Sequence, residues 1–222
     1  METITVPKFR SCKRLVQWME RNWHKFINAG VQARLSPERE RVFLTTKKEQ
    51  PNDVAACVAS YAHYVGRLPE EIENLLRGHG DSLCNYIRIV RGKDQEVPQD
   101  LFDSLAGDSR NLYRIAKDCG RLPKHLEDTI ADPRYAFMYA KEVLRGRLPR
   151  NIEDVFFKDA YFAAKYAFEV IRGFAPVKLP EELHAFMIMK SFEQPDNEYI
   201  RTYMEASESD PDRVGNTDNK VR

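Results

Sequence analysis

The chain has 222 residues, 42% hydrophobic and 31% charged, which is ample for a buried core and ordinary for a globular protein. Its 35 basic and 34 acidic residues leave a formal charge of +1, which gives no bulk attraction to nucleic acid or membrane and argues against a mimic of duplex DNA. The start METITVPKFR lacks a signal peptide's apolar stretch, and no apolar window is long enough to span a membrane, so the expected compartment is the cytoplasm.

The first predicted element is an amphipathic helix from Cys12 to Ile27, carrying Leu15, Val16, Trp18, Met19, Trp23 and Phe26. Asn28-Ala29-Gly30 is placed to end it. Val42-Phe43-Leu44 is too short to separate strand from helix. Residues 1–50 show no repeat period and read as an N-terminal helical cap, which an open stack needs at its exposed end. Their two tryptophans are alternatively an anchor for a partner.

A repeated phrase governs residues 51–206. Gly66-Arg67-Leu68-Pro69, Gly120-Arg121-Leu122-Pro123 and Gly146-Arg147-Leu148-Pro149 are near copies, and looser versions begin at Gly92 and Gly173. The marker glycines are spaced by 26, 28, 26 and 27 residues, and each interval carries helical rather than strand-like sequence. The expected fold is all-α, a solenoid-like array of two-helix repeats of about 26–28 residues.

The first unit places Val54, Val58, Tyr61, Ala62 and Val65 on a helix before Gly66, then Ile72, Leu75 and Leu76 on a short helix that stops at Gly78. Asp81 leads through Leu83, Tyr86, Ile87 and Val90 to Gly92, with Pro98, Leu101, Phe102 and Leu105 behind it. Asp108 leads through Leu112, Ile115, Ala116 and Cys119 to Gly120, and Pro123, Leu126 and Ile130 mark the next short helix. In the clearest copy Asp132 is the expected N-cap and Pro133 the first helical residue. Ala136, Tyr139, Ala140, Val143 and Leu144 form its stripe, and Gly146 is suited to end it in a left-handed conformation.

Pro149 opens a shorter helix through about Phe157, and Asp159 restarts the pattern, with Tyr166, Ala167, Val170 and Ile171 before Gly173. Leu183, Phe186, Met187 and Met189, then Tyr199 to Met204, suggest two last helices. Residues 207–222 have no apolar periodicity and read as a flexible tail. The recurring alanines permit close helix approach, while the tyrosines fill space with hydroxyls near polar edges.

Little in the chain specifies chemistry. The five histidines show no HxxxH or HExxH spacing, and Cys12, Cys57, Cys84 and Cys119 form no CxxC pair. The last three cysteines lie in apolar helical patterns and read as small buried side chains. A quartet of Cys57, His63, His79 and Cys84 matches no zinc motif. Gly78-His79-Gly80-Asp81 lacks the residues of a phosphate loop. Glu70-Glu71, Glu181-Glu182, Glu127 and Glu153 fall in the first turns of short helices, where backbone donors and the helix dipole explain them. No catalytic residue, cofactor or metal is assigned, and an enzyme is the less favoured reading.

The candidate partner-binding residues are the basic side chains at the glycine turns: Arg67, Lys93, Arg121, Arg147 and Arg172. Lined up on one edge, they would bind carboxylates of a partner protein or phosphates of RNA. The competing reading is local, because basic groups at helix ends stabilise them and arginine can bridge to a glutamate of the following helix.

Tyr139-Ala140, Val143, Gly146-Arg147, Pro149 and Glu153 carry a resemblance. The pattern resembles a loose family of bacterial and bacteriophage helical-repeat proteins, whose units read Tyr-Ala-x-x-Val-x-x-Gly-Arg-x-Pro followed by an acidic residue. The next unit matches at Tyr166-Ala167, Val170 and Gly173, but Phe174 replaces the arginine and the proline is delayed to Pro180. The resemblance covers residues 54–190, implies repeat architecture and a phage or mobile-element origin, and brings no catalytic residues. The expected function is a non-enzymatic protein-binding scaffold or inhibitor acting on a host or viral assembly. The alternative is RNA or nucleotide recognition by the basic edge.

Overall fold

Apolar residues three and four positions apart wind most of the chain into helices in the computed structural model, which describes residues 6–28, 34–46, 49–171 and 180–208. No strand occurs among these residues, so the chain is all-α as expected. No described helix is long and apolar enough to cross a membrane. Arg172, Gly173 and nearly all of the expected tail lie outside the described residues. The chain forms two compact units, Met1–Cys119 and Gly120–Arg222.

In the first unit, α1 (Cys12–Asn28) turns Cys12, Leu15, Met19 and Phe26 to one buried face. Two short helices follow, α2 (Pro37–Glu40) and α3 (Val42–Thr45), which settles Val42-Phe43-Leu44 as helical. The long helices are α4 (Pro51–Val65), α6 (Gly80–Arg91) and α8 (Ser109–Cys119), and between them lie the short α5 (Glu70–Glu73) and α7 (Gln99–Asp103). α1 packs on α4, α4 on α6 and α6 on α8. Ala55, Ala59 and Ala62 are buried along α4, and Ala116 along α8, where a methyl group lets a neighbouring backbone approach.

The turn after α4 needs its glycine for two reasons. Gly66 has φ of +78°, and a Cβ there would stand 2.2 Å from Oε1 of Gln95. That amide oxygen instead accepts from the Arg67 N–H at 2.7 Å and holds the turn.

In the second unit, α9 (Lys124–Glu127), α10 (Pro133–Met138), α11 (Arg150–Glu153) and α12 (Ala160–Tyr166) alternate short and long, and α13 (Glu181–Glu193) and α14 (Glu198–Glu208) close it. α12 packs against α10, α13 and α14. Asp132 and Asp159 are N-caps as expected, each accepting from two backbone N–H groups of the following turn.

The long helices here end differently from the sequence expectation. α10 runs into a π-helical stretch, Tyr139–Leu144, and α12 into another, Ala167–Ile171. The wider turn takes in an extra residue, so Arg145, at φ +49° and ψ +45°, occupies the left-handed position one residue ahead of Gly146.

Candidate functional site

The repeated phrase builds a hydrogen-bonded chain of four groups, twice in each unit. In the second unit, the Leu148 N–H donates to the Tyr166 hydroxyl at 2.8 Å, and that hydroxyl donates to Oε1 of Glu153 at 2.7 Å. Arg147 completes the set through Nε at 2.6 Å and Nη2 at 3.0 Å from the two carboxylate oxygens. Leu122, Tyr139, Glu127 and Arg121 repeat it at 3.2, 2.8 and 3.0 Å.

In the first unit, Leu68 donates to Tyr86 at 3.0 Å, Tyr86 donates to Glu73, and Arg67 lies 3.4 Å from that carboxylate. The fourth copy falls within residues 1–50, which showed no period. Leu35 donates to Tyr61 at 3.1 Å, Tyr61 donates to Glu40 at 2.9 Å, and Arg34 stands 3.6 Å away.

The geometry explains why these residue types recur. Each leucine N–H lies in an extended connection, without a helical partner, and a phenol reaching in from the next long helix accepts from it. The phenol's own proton needs an acceptor, and the glutamate supplies it from the intervening short helix. The carboxylates are 1–2% exposed at Glu127, Glu73, Glu40 and Glu153, so each would be an unpaired buried charge without its arginine. Among the described residues, no buried side-chain nitrogen or oxygen lacks a hydrogen-bond partner.

Burial pushes all four phenols above their ordinary value of 10.0, with the adjacent carboxylate adding to the rise. It also raises the Glu40 carboxyl. Hydrogen bonds from Arg121 to Glu127 and from Arg147 to Glu153 hold those guanidinium groups more firmly protonated.

One repeat dispenses with the network. Four residues after Pro98, where the short helices behind Pro69, Pro123 and Pro149 carry glutamate, stands Phe102, and thirteen residues later Ile115 takes the tyrosine position. Both are buried. Polar donor and polar acceptor have been exchanged together for apolar side chains, which avoids an orphaned group. Arg91 lies over the Phe102 ring, 4.9 Å from its centroid.

The structure thus brings Arg67, Arg121 and Arg147 each to a glutamate of the following short helix, in the local role open to them from sequence. Lys93 is exposed in the turn after α6, and Arg172 lies outside the described residues. Sequence reasoning missed the glutamates as the acceptors of the tyrosines. The available signal was Arg-Leu-x-x-x-x-Glu with a proline one or two residues after the leucine, which occurs at Arg34, Arg67, Arg121 and Arg147; without the proline the pattern also falls at Arg14, inside α1.

Two other features offer chemistry, both in the first unit. A trough of about 480 Å³ runs between α4 and α6, lined by Ala56, Ala59 and Ser60 on one side and Asn85, Arg88 and Ile89 on the other. Arg88 pairs with Asp118 of α8, and Asn85 accepts from Arg114 at 3.2 Å. The second feature is Cys12, Glu49 and Cys57, whose donor atoms all lie within 4.8 Å of one another. Among the described residues it is the only such group of three or more cysteine, histidine or acidic side chains, so Cys57, His63, His79 and Cys84 do not converge.

Comparison with protein-family models, with curated proteins and with solved structures finds no match.

Proposed function

We propose that the chain is a non-enzymatic helical-repeat scaffold of the solenoid type, and that it binds an extended segment of another protein in the trough between α4 and α6. The observation that carries this reading is the character of that trough. Ala56, Ala59 and Ser60 leave room for a main chain, Asn85 and Arg88 offer polar side chains, and Ile89 adds an apolar contact. A peptide whose own N–H and C=O groups need partners suits such a lining. Four copies of one internal network support the repeat reading, since they fix short and long helices in a recurring relation. The likeness to bacterial and phage repeat proteins supports a partner in a host or viral assembly.

The basic turns favour RNA less. Arg67 faces Glu73, with Glu70 and Asp100 around the same hollow, and Arg121 and Arg147 face Glu127 and Glu153. Their charge is largely matched on site, which leaves little for a phosphate backbone to neutralise. The exposed parts of Arg67, Arg121 and Arg147, with Lys93 and Arg172, remain secondary contact points for an acidic stretch of the partner.

The test is affinity capture from cells that encode the chain, with and without nuclease, using the natural sequence and Ala56→Arg. One protein retained after nuclease treatment and high salt, and lost with a well-folded Ala56→Arg variant, is the expected result. Salt-sensitive recovery of RNA, undiminished by Ala56→Arg, would overturn the proposal.

A further inference from the structure

Cys12, Glu49 and Cys57 come from three separate places in the first unit. Cys12 is the first residue of α1, Cys57 sits midway along α4, and Glu49 lies just ahead of α4. The packing of α1 on α4 brings the two thiols together. Both cysteines are buried and Glu49 is half-buried. The carboxylate is already oriented: Oε1 accepts from the Ser11 hydroxyl and from the Lys13 N–H at 3.4 Å, while Oε2 accepts from the Cys12 thiol.

A pair of structural cysteines needs no acid between them, because buried thiols pack as small apolar groups. Here a carboxylate oxygen is aimed at the thiols, and its other oxygen is held by a hydroxyl outside the cluster. That division of labour is the one a metal ligand requires, with one oxygen for the ion and one for an orienting donor. Donors at tetrahedral positions around zinc stand roughly 3.5–3.8 Å apart, given bond lengths of about 2.0–2.3 Å. Donor atoms within 4.8 Å of one another therefore need only small rotamer shifts to enclose an ion. Two soft sulfurs with one oxygen select zinc over magnesium or calcium.

We propose that Cys12, Cys57 and Glu49 form a zinc site that staples α1 to α4, with a water molecule as the fourth ligand. On binding, each thiol gives up its proton to solvent and its sulfur donates a lone pair to the ion. The Glu49 oxygen freed from the Cys12 proton becomes the third protein ligand, and no group changes oxidation state. A disulfide between the cysteines is the rival use of the pair. It would take away the thiol proton that this half-buried carboxylate oxygen accepts and leave the oxygen to solvent, whereas the metal keeps all three side chains engaged.

The full-length chain, reduced and freed of metal by a chelator, is titrated with Co²⁺ and then Zn²⁺. The expected result is one Co²⁺ per chain with a thiolate-to-cobalt charge-transfer band, displaced by Zn²⁺. Cys57→Ser weakens the band, Glu49→Gln keeps it but lowers affinity by about tenfold or more, and Cys84→Ser changes nothing. Zinc also raises the melting temperature of the natural chain but not of Cys57→Ser. Absence of a charge-transfer band, a band undiminished by Cys57→Ser, a band lost with Cys84→Ser, or a Co²⁺ affinity that Glu49→Gln leaves unchanged overturns the site. Where Cys57→Ser fails to fold, Glu49→Gln still decides the question, because it removes only the negative charge and keeps the side-chain size.

Discussion

Tyr166 and Glu153 lie thirteen residues apart and meet through a single 2.7 Å hydrogen bond in a place sealed from solvent. The phenol belongs to a long helix and the carboxylate to the short helix before it, so the contact fixes how one follows the other. Removing the hydroxyl with Tyr166→Phe strips the Leu148 N–H of its acceptor and takes from Oε1 of Glu153 one of its two donors, leaving Arg147 Nε. The orphaned amide and the weakened carboxylate should cost about 1–3 kcal/mol, read as a lower midpoint in urea unfolding. Lys93→Ala, at an exposed turn, should leave the midpoint where it is.

The Phe102 and Ile115 pair sets up a double-mutant cycle. Glu127→Phe alone and Tyr139→Ile alone each orphan the opposite partner, whereas the two together copy the apolar repeat. The coupling should be about 1–3 kcal/mol in favour of the double variant relative to the sum of the singles. Strict additivity in equilibrium unfolding would refute this account of the substitution.

Alkaline pH should unfold the chain through the same tyrosines. Tyr61, Tyr86, Tyr139 and Tyr166 are raised from 10.0 in the folded state, so their contribution is intact below that value. Above it the unfolded chain ionises while the folded one stays protonated, and stability falls as pH climbs toward the folded values. Unfolding free energy measured on either side of pH 10 should decline, and less steeply in Tyr166→Phe.

Backbone conformation gives two opposite predictions. Gly66→Ala meets both a left-handed φ and the Gln95 side chain, while Gly120→Ala meets only the φ of +88° with open space around it. The first should lower the melting temperature more than the second, and Gln95→Ala should recover part of the difference. Arg145→Gly should instead stabilise by about 1 kcal/mol, because arginine now holds a left-handed conformation at a cost.

Much of the helical order was legible because burial repeats every three to four residues, and Asp132 and Asp159 announced their helices as caps. The copy at Arg34 was hidden. Its proline falls one residue later, and its tyrosine stands 21 residues beyond the glutamate rather than 12 or 13. The π-helical stretches left no trace because one widened turn barely disturbs an apolar stripe. Cys12, Glu49 and Cys57 were invisible for a different reason: their approach depends on α1 docking against α4, which no local spacing encodes.

The leucine amides at Leu35, Leu68, Leu122 and Leu148 have a use beyond stability. Amides in extended connections usually trade their hydrogen for deuterium quickly, since water reaches them freely. Each of these four is instead covered by a phenol carried on the following long helix. Deuterium can enter only when that helix lifts away. Four exchange rates, read in one measurement, would therefore time the release of α4, α6, the π-helical stretch that continues α10, and α12 separately and show in what order the chain comes apart.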